Sequence, residues 1–305
     1  MATRIKKSAE RLAGDALERI KSVALAAMFS DDVLMEQLVL KGGNAIDLVL
    51  RIQSRASVDL DFSLAADLDL QQATPRIVRA LERTFLAELS YRAFDIKFER
   101  RPQSELPDNL AAFWGGYLVE FKLIAAVRAT ELGFDNELMR REAILLGEGP
   151  RFKIDISPHE YVEGKVKHEL MGLSIFVYSP AMIVAEKIRA ICQQMIEYAA
   201  IIQRKGLGNQ RARDFVDIEA VVKAFGINLA ELSFQELVCH MFEAKRVPLR
   251  LIGRIGDAGV RDFHALGFAS VRDTMRPGVR LEDSFEHYHQ FLVSQSKKLE
   301  PLWNV

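Results

Sequence analysis

The chain has 305 residues and a formal net charge of −1, with 49% hydrophobic and 27% charged residues. This composition is typical of globular proteins with a large core, and it excludes disordered, collagen-like and fibrous classes. The charge balance also excludes a general coat of positive charge for nucleic acid, although a local basic patch is compatible with it. Two cysteines form no disulfide framework and no zinc-binding pattern, which favours a reducing compartment.

No segment near the N-terminus has the pattern of a targeting signal or a membrane span. The longest early apolar run, Val23–Phe29, is far shorter than the ~20 residues that a bilayer requires. Glu10, Asp15 and Glu18 do not fit an organelle transit peptide, which avoids acidic residues. We therefore expect a soluble, cytoplasmic protein without a membrane partner.

The N-terminal part of the chain is predicted to alternate helices with short strands. Helical spacing of apolar residues predicts a helix over 8–29. A short apolar strand over 38–40 leads into a glycine pair, after which Asn44 is expected to cap a helix through Arg51. Residues 58–64 alternate polar with apolar side chains, the period of two expected for a half-buried strand.

The rest of the chain divides into a strand-containing part and a helical part. A helix is predicted over 70–90, strands over 94–100, 117–125, 151–157 and 175–178, and a loop or hairpin over 158–173. Ser179 and Pro180 then open a helical region, because proline is well placed in the first turn of a helix. Its predicted helices cover 180–203, 211–225 and 230–244, with more after 260. We expect an α+β domain over 1–175 and a helical C-terminal domain over 176–305.

The strongest functional signal is the glycine pair followed by two aspartates on one strand. Gly42 and Gly43 allow a close approach of the backbone, and with the following helix start they form a cradle suited to phosphate. Asp59 and Asp61 are two residues apart on a strand, so their carboxylates share a face. Since Mg²⁺ favours such a pair together with substrate phosphates, this order of elements indicates a metal-dependent nucleotide site.

Asp155 is the candidate for a third carboxylate. It lies in the alternating strand 151–157, and three carboxylates on neighbouring strands can build a two-metal site. The alternative role for Asp155 is a salt bridge, and the alternative for the aspartate pair is a solvated sheet edge. Haloacid-dehalogenase phosphatases also use paired aspartates, but residues 53–57 are not the fully apolar strand that precedes their nucleophile. Metal-dependent glycosyltransferases begin with βα units, which the sequence before the pair does not show.

Four segments together resemble one family. Lys41–Ala45 (KGGNA) followed by Arg55–Phe62 (RASVDLDF) resembles the first motif of the AbiEii/AbiGii-type nucleotidyltransferase toxins, within the DNA polymerase β-type nucleotidyltransferase superfamily. Ala185–Ala190 (AEKIRA) resembles the EKL-x-A helix of that family, and Arg213–Ile218 (RDFVDI) resembles its RD-x-x-D segment. The resemblance implies a polymerase-β-type mixed sheet with flanking helices, followed by a helical C-terminal domain.

The resemblance also implies where the nucleotide would bind. Gly42, Gly43 and Asn44 would form the turn that holds the triphosphate. Arg55 and Ser57 occupy motif positions beside it, with Arg55 reaching a phosphate or bracing the aspartate pair.

A second set of implied roles concerns metal binding and catalysis. Asp59 and Asp61 would bind Mg²⁺ or Mn²⁺, with Asp155 as the third carboxylate. Lys187 would contact the phosphates, and Asp214 would be a further essential acid. The alternative is that Lys187 belongs to a solvated helix face and that Asp214 pairs with a neighbouring arginine at the helix surface.

The function implied by this resemblance is a Mg²⁺-dependent nucleotidyltransferase toxin of a toxin–antitoxin or phage-defence system. Its substrate would be an NTP, its acceptor the 3′ end of tRNA, and its partner a cognate antitoxin. Two alternatives remain open at this point. The acceptor could instead be a Ser, Thr or Tyr hydroxyl on a protein, or the chain could be a non-catalytic nucleotide-binding module.

Several residues outside these motifs also carry predictions. A basic stretch in the helical part either faces tRNA phosphates or forms a solvated face. It comprises Lys245, Arg246, Arg250, Arg254 and Arg261. Phe225, Phe234 and Phe242 are predicted to be core residues, and His287 and His289 are predicted to lie on the surface.

Overall fold

The computed structural model of the chain describes residues 14–49, 59–145, 149–273, 275 and 281–304. The described strands are β1 (Val39–Lys41), β2 (Leu60–Ser63), β3 (Tyr91–Arg101), β4 (Gly116–Ala125), β5 (Phe152–Ser157), β6 (Val166–Leu170) and β7 (Leu173–Val177). They form one seven-stranded sheet in the order β3-β4-β5-β2-β1-β7-β6. The pairs β2–β5 and β1–β7 are parallel and the others antiparallel, so the sheet is mixed, as predicted.

Helices flank the sheet and make up the C-terminal part. Those before β5 are α1 (Gly14–Phe29), α2 (Asp32–Gln37), α3 (Gly42–Asn44), α4 (Leu70–Leu89), α5 (Asp108–Ala111), α6 (Ala126–Glu131) and α7 (Asn136–Arg141). Those after β7 are α8 (Pro180–Cys192), α9 (Ile196–Ile201), α10 (Ala212–Phe225), α11 (Leu232–Ala244), α12 (Ala258–Ala265), α13 (Phe268–Arg272), α14 (Phe285–Ser296) and α15 (Glu300–Trp303). A π-helical turn follows α3 over Ala45–Val49, and 3-10 turns cover Leu249–Arg254 and Lys297–Leu299.

Alternating burial explains why β5 forms where it does. Phe152, Ile154 and Ile156 are buried, whereas Lys153 and Asp155 on the other face are exposed. This is the period of two on which the strand prediction rested. The apolar face enters the hydrophobic core, so the polar face of β5 is left to line a cleft.

The start of the helical part also follows the prediction. Ser179 caps α8, because its hydroxyl accepts a hydrogen bond from the Met182 amide, and Pro180 occupies the first turn. Helix α8 packs against α10 and α11. One core cluster contains residues from the sheet and from these helices, so the division into two domains at residue 175 stays a prediction.

Two helix predictions are wrong in detail. Asn44 is not a helix cap, because the helical turn begins at Gly42 and Asn44 is fully buried within it. The predicted helix over 180–203 is interrupted between Cys192 and Ile196. The Arg204 guanidinium accounts for the interruption, since it donates to the Gln193 and Gln194 carbonyls that the helix end exposes.

Four short helices were not predicted from the sequence. The helices α2, α5, α6 and α7 have at most six residues each, too few for helical periodicity to stand out. Strand β6 pairs antiparallel with β7, so the hairpin is the correct alternative of the loop or hairpin predicted over 158–173. None of the helices within the described ranges is both long enough and apolar enough to cross a membrane.

Candidate active site

A cavity of about 620 Å³ lies where the polar face of the sheet meets the helical part. This is the size range of pockets that bind small molecules such as nucleotides. The sheet contributes Lys41, Gly42, Gly43, Asp59, Asp61, Asp155 and Ser157, and the helical part contributes Glu186, Lys187, Arg189, Arg211, Arg213, Asp214 and Lys245. The structure therefore brings together most of the site residues that the sequence predicted.

Strand register places the carboxylates side by side. Asp61 on β2 pairs with Asp155 on the parallel strand β5, and with Lys41 on the antiparallel strand β1. The pKa of Asp61 is raised to about 6, chiefly by burial, with the charges of Asp155, Glu186 and Asp59 adding to the rise and Lys41 opposing it. Desolvation and the charge of Asp59 also raise the pKa of Asp155. The three aspartates thus form a cluster of mutually repelling negative charge.

Gly42 is required by the backbone and by its contact with Asp61. Its φ of +72° lies in the left-handed region that strains other residues. A Cβ at this position would stand 2.5 Å from the Asp61 Oδ2 atom. The glycine pair thus brings the main chain directly against the carboxylate cluster.

Gly42→Ala is expected to lower nucleotide transfer at least about tenfold, because the new methyl group must displace the Asp61 carboxylate. It should also lower the free energy of unfolding by about 1–2 kcal/mol through backbone strain. Gly226→Ala is the matched control, because Gly226 has a φ of +61° and open space around its Cβ position. Denaturation and label-transfer assays separate the two effects. Equal activity loss in both variants would mean that contact with Asp61 is not the cause.

Asn44 supports the aspartate pair from within the protein. It has no solvent exposure, and its Nδ2 atom donates a hydrogen bond to the Asp59 carbonyl. Its Oδ1 atom is buried without a hydrogen-bond partner among the described residues. The Asn44 side chain therefore holds the backbone of Asp59 in place. This role differs from the direct contact with the nucleotide that the motif implied. Arg55 and Ser57 lie outside the described residues.

Glu160 is the centre of a buried group of charges that no sequence pattern indicated. Its side chain is 2% exposed, and its Oε2 atom accepts a hydrogen bond from Arg189 Nη1 at 2.6 Å. Its Oε1 atom lies 3.2 Å from Lys41 Nζ and 3.7 Å from Lys245 Nζ. The charges of Arg189, Lys41 and Lys245 outweigh the effect of burial and hold the pKa of Glu160 well below its usual range. The carboxylate thus holds three cations from three separate elements against the floor of the cavity.

Burial lowers the pKa of Lys245 to about 8, while the charge of Glu160 opposes this shift. The Lys245 Nζ atom also donates to the carbonyls of Pro158 and Phe113. Arg189 pairs in addition with Glu186, one turn earlier on α8. Lys41 also acts on Asp61, so the cations of the cavity floor lie between Glu160 below them and the aspartate cluster beside them.

Lys187 is held at the cavity wall by two acids of α10. Its Nζ atom lies 2.7 Å from Asp214 Oδ1 and 2.8 Å from Asp217 Oδ2. The three side chains are 4%, 9% and 1% exposed, so the alternative of a solvated helix face is wrong for Lys187. The alternative of a surface pair is also wrong for Asp214, although Arg211 lies 3.6 Å from its other oxygen. Whether Lys187 contacts phosphate stays a prediction.

The basic stretch of the helical part does not form one continuous face. Lys245 is buried beneath the cavity, whereas Arg246 lies over the ring of Phe113 and donates to the Asn109 carbonyl. Arg254 pairs with Glu197 and Asp257, and Arg261 pairs with Asp262. These pairings favour the interpretation as separate surface ion pairs over a shared tRNA-facing patch.

Two further expectations for the helical part are wrong. His289 is buried, and a nitrogen of its ring forms a hydrogen bond with the Ile255 carbonyl. Phe225 is 45% exposed, because it is the last residue of α10, whereas Phe234 and Phe242 are buried as predicted.

His264 contacts the cavity wall at Arg211, and its lowered pKa makes the stability of the protein depend on pH. It is buried, and its Nδ1 atom accepts a hydrogen bond from the Arg211 amide at 2.9 Å. Burial lowers the pKa of His264 to about 4, with Arg211 and His289 adding to the shift and Asp214 opposing it. The imidazole is therefore neutral at physiological pH and fixes the residue that precedes α10.

We expect the free energy of unfolding to fall by about 2–3 kcal/mol through His264 alone as the pH drops from 6.5 to 4. In this window the unfolded imidazole binds a proton and the folded one does not, so acid favours unfolding. His264→Gln should remove this contribution, which denaturation at pH 7 and pH 5 would measure. If His264→Gln loses as much stability as the wild type between pH 7 and pH 5, the pH dependence does not come from His264.

The donor set at the aspartates fits a hard divalent cation that substrate phosphates complete. Asp59, Asp61 and Asp155 offer carboxylate oxygens, and their mutual repulsion would be relieved by positive charge. Within the described part of the chain, no three His, Cys, Asp or Glu side chains already form a metal-binding group. Mg²⁺ bound through one or two carboxylates together with phosphates needs no such group in advance.

Comparisons with known proteins agree with the geometry. A family model described as "Nucleotidyl transferase AbiEii toxin, Type IV TA system" matches residues 23–291. Among solved structures, JHP933 from Helicobacter pylori is similar with 16% identity and a TM-score of 0.47, over 96% of this chain and 95% of that one. The nucleotidyltransferase toxin MenT4 from Mycobacterium tuberculosis is similar with 16% identity and a TM-score of 0.42, over 94% and 84%. Likenesses at this level carry no argument about activity. None of the curated proteins compared with the chain matches it.

Proposed function

The chain belongs to the AbiEii family of nucleotidyltransferase toxins, and we propose that it transfers a nucleotide from an NTP to the 3′ hydroxyl of tRNA in a Mg²⁺-dependent reaction. One observation carries this proposal. Asp61 and Asp155 on neighbouring strands, with Asp59 directly before the first of them, stand beside a glycine pair and close to buried cations, all within one cavity. Paired carboxylates for a cation, with lysine and arginine side chains close by for phosphates, are what a metal-bound triphosphate requires.

In this proposal Asp59 and Asp61 hold the divalent cation, Mg²⁺ or Mn²⁺, with Asp155 as a third ligand. When bound, the cation neutralises charge on the phosphates and lowers the barrier to displacement at the α-phosphorus. The NTP is placed with its triphosphate against Gly42 and Gly43.

The remaining cavity residues bind and orient the substrates. Lys41, Arg189 and Lys245 hold the polyphosphate, while Asp214 keeps the Lys187 ammonium directed along the cavity wall. The acceptor oxygen forms a bond to the α-phosphorus as the bond to pyrophosphate breaks. Asp155 takes the proton that the acceptor hydroxyl loses. Positioning and charge neutralisation then supply most of the rate enhancement.

The biological setting that fits this family is a toxin–antitoxin system, with a cognate antitoxin as the partner and the cytoplasm as the location. Nucleotide addition to the 3′ end of tRNA would block aminoacylation. Toxicity on expression should therefore depend on the aspartate pair.

The test combines purified protein, Mg²⁺, total tRNA and each α-labelled NTP in turn, beside the Asp59→Ala/Asp61→Ala variant. Label on tRNA that the variant does not produce would support the proposal and identify the nucleotide. Label on protein would instead indicate nucleotidylation of a Ser, Thr or Tyr hydroxyl. NTP binding without release of pyrophosphate, with any acceptor, would indicate a non-catalytic module.

A further inference from the structure

A second cavity of about 460 Å³ continues from the candidate active site. The two cavities share Trp114 and Gly115, which come just before β4. The far wall of the second cavity includes Arg100 and Arg101 at the end of β3, together with His159 after β5. The two cavities are therefore neighbours that meet at Trp114 and Gly115.

Two glycines lie at the junction between the cavities, where the main chain is closely packed. Gly115 has a φ of +114°, and a Cβ there would lie 3.1 Å from the Leu106 side chain. A Cβ at Gly116 would lie 3.1 Å from the Ile156 carbonyl. The main chain beside Trp114 is therefore packed too closely to carry a side chain at either position.

Trp114 has the features of a stacking platform. Its ring is partly buried and meets Tyr198 edge-on, with ring centroids 6.2 Å apart. No described residue accepts a hydrogen bond from its indole N–H, and it lines both cavities. The contact with Tyr198 fixes the ring while leaving it available to a ligand.

Arg101 lines the second cavity, and its charge acts on Asp155 of the candidate active site, where it opposes the rise in pKa. It pairs in register with Gly116, and its one ion pair, with Glu99, is long at 3.7 Å and exposed. Arg100, in contrast, donates to Asp67 at 2.8 Å and lies over the Tyr117 ring. Arg101 is therefore available to a phosphate.

We propose that this second cavity receives the acceptor as a single-stranded polynucleotide, with a base stacked on Trp114 and its phosphate at Arg101. The inference rests on the proposed function and adds the path by which the acceptor reaches Asp155. A flat aromatic ring beside a guanidinium is the combination that binds single strands without a sequence code. Glu105 and Asp108 also line this cavity, and because their charge repels further phosphates we expect only the last one or two nucleotides to enter it.

The experiment measures binding and turnover separately with the full chain. Binding uses fluorescence anisotropy of a 5′-labelled single-stranded oligoribonucleotide with a free 3′ hydroxyl, without NTP. Trp114→Ala should weaken binding about tenfold or more, and Trp114→Phe should restore most of it. Arg101→Ala should weaken binding several-fold and reduce its salt dependence. In the label-transfer assay, both alanine variants should raise the KM for RNA and leave the KM for NTP within about twofold.

Arg79→Ala is the matched control for lost charge, since Arg79 is exposed and lines a separate cavity on α4. Unchanged RNA affinity in Trp114→Ala would overturn the inference, as would no RNA binding by the wild type or an equal loss in Arg79→Ala. A failure of the proposed function alone would give a different result. The wild type would bind RNA through Trp114 but would transfer no label to it. Label on protein with no RNA binding would overturn both.

Discussion

Asp61→Asn is expected to reduce nucleotide transfer at least about a hundredfold while raising the thermal stability of the protein. Activity falls because the amide removes a negative oxygen ligand from the centre of the carboxylate cluster. Stability rises because burial and the charges of Asp155, Glu186 and Asp59 raise the pKa of Asp61 to about 6, so its ionised form is unfavourable in the fold. A gain of about 1–2 kcal/mol at neutral pH follows, even though Lys41 loses a partner.

The opposite signs of these two effects make the experiment decisive. Thermal denaturation at pH 7.5 would give a higher Tm for the variant, and label transfer would give the activity. Mg²⁺ should raise the Tm of the wild type more than that of Asp61→Asn, because a ligand stabilises the state that binds it. Asp262→Asn, at an exposed aspartate outside the cavity, controls for the lost charge. A variant that is both inactive and less stable would place Asp61 among structural residues.

The aspartate pair was predictable because its two members follow the two-residue period of a strand, which is visible in the local sequence. Residues two apart on a strand share a face, which brought Asp59 and Asp61 together in the prediction, although β2 begins only at Leu60 and Ser63 departs from the alternation because it is buried. Asp155 needed one more step, since only the parallel pairing of β2 with β5 aligns it with Asp61. No local pattern specifies which strands pair, so its membership in the cluster stayed open in the sequence.

Glu160 and Trp114 show what local patterns leave out. Glu160 follows β5 in a loop, and the Lys41 and Arg189 side chains that it binds are 119 and 29 residues away in the sequence. Trp114 reaches the site through the connection before β4. A lone glutamate or tryptophan in a loop has no spacing to analyse, so the residues that shape the floor and mouth of the cavity emerged only from the fold.

The wrong predictions have the same origin. Asn44 has the side chain of a good helix cap, but burial against the Asp59 backbone determines its role. Lys245 was grouped with surface arginines by sequence proximity, yet the end of α11 directs it into the protein. In both cases a long-range contact overrides a correct local preference.

Glu160→Gln is expected to destabilise the protein by roughly 3 kcal/mol or more, the largest loss of stability among the cavity residues. The amide cannot balance Arg189, Lys41 and Lys245, which would remain buried without their common counter-charge. Since these cations belong to α8, β1 and the end of α11, the substitution loosens the contact between the sheet and the helical part. Their displacement should also raise the KM for NTP. Chemical denaturation and initial-rate measurements would test both effects.

A double variant separates lost charge balance from a general packing defect. Lys245→Met removes one of the three cations, so Glu160→Gln/Lys245→Met should lose clearly less stability than the two single variants added together. Glu142→Gln is the matched control, because its ion pair with Arg128 is exposed at the surface and should contribute less than about 1 kcal/mol. Strictly additive losses would show that Glu160 acts through its shape alone. A coupling of 1 kcal/mol or more would show that one buried carboxylate holds the phosphate-binding cations in place before any nucleotide arrives.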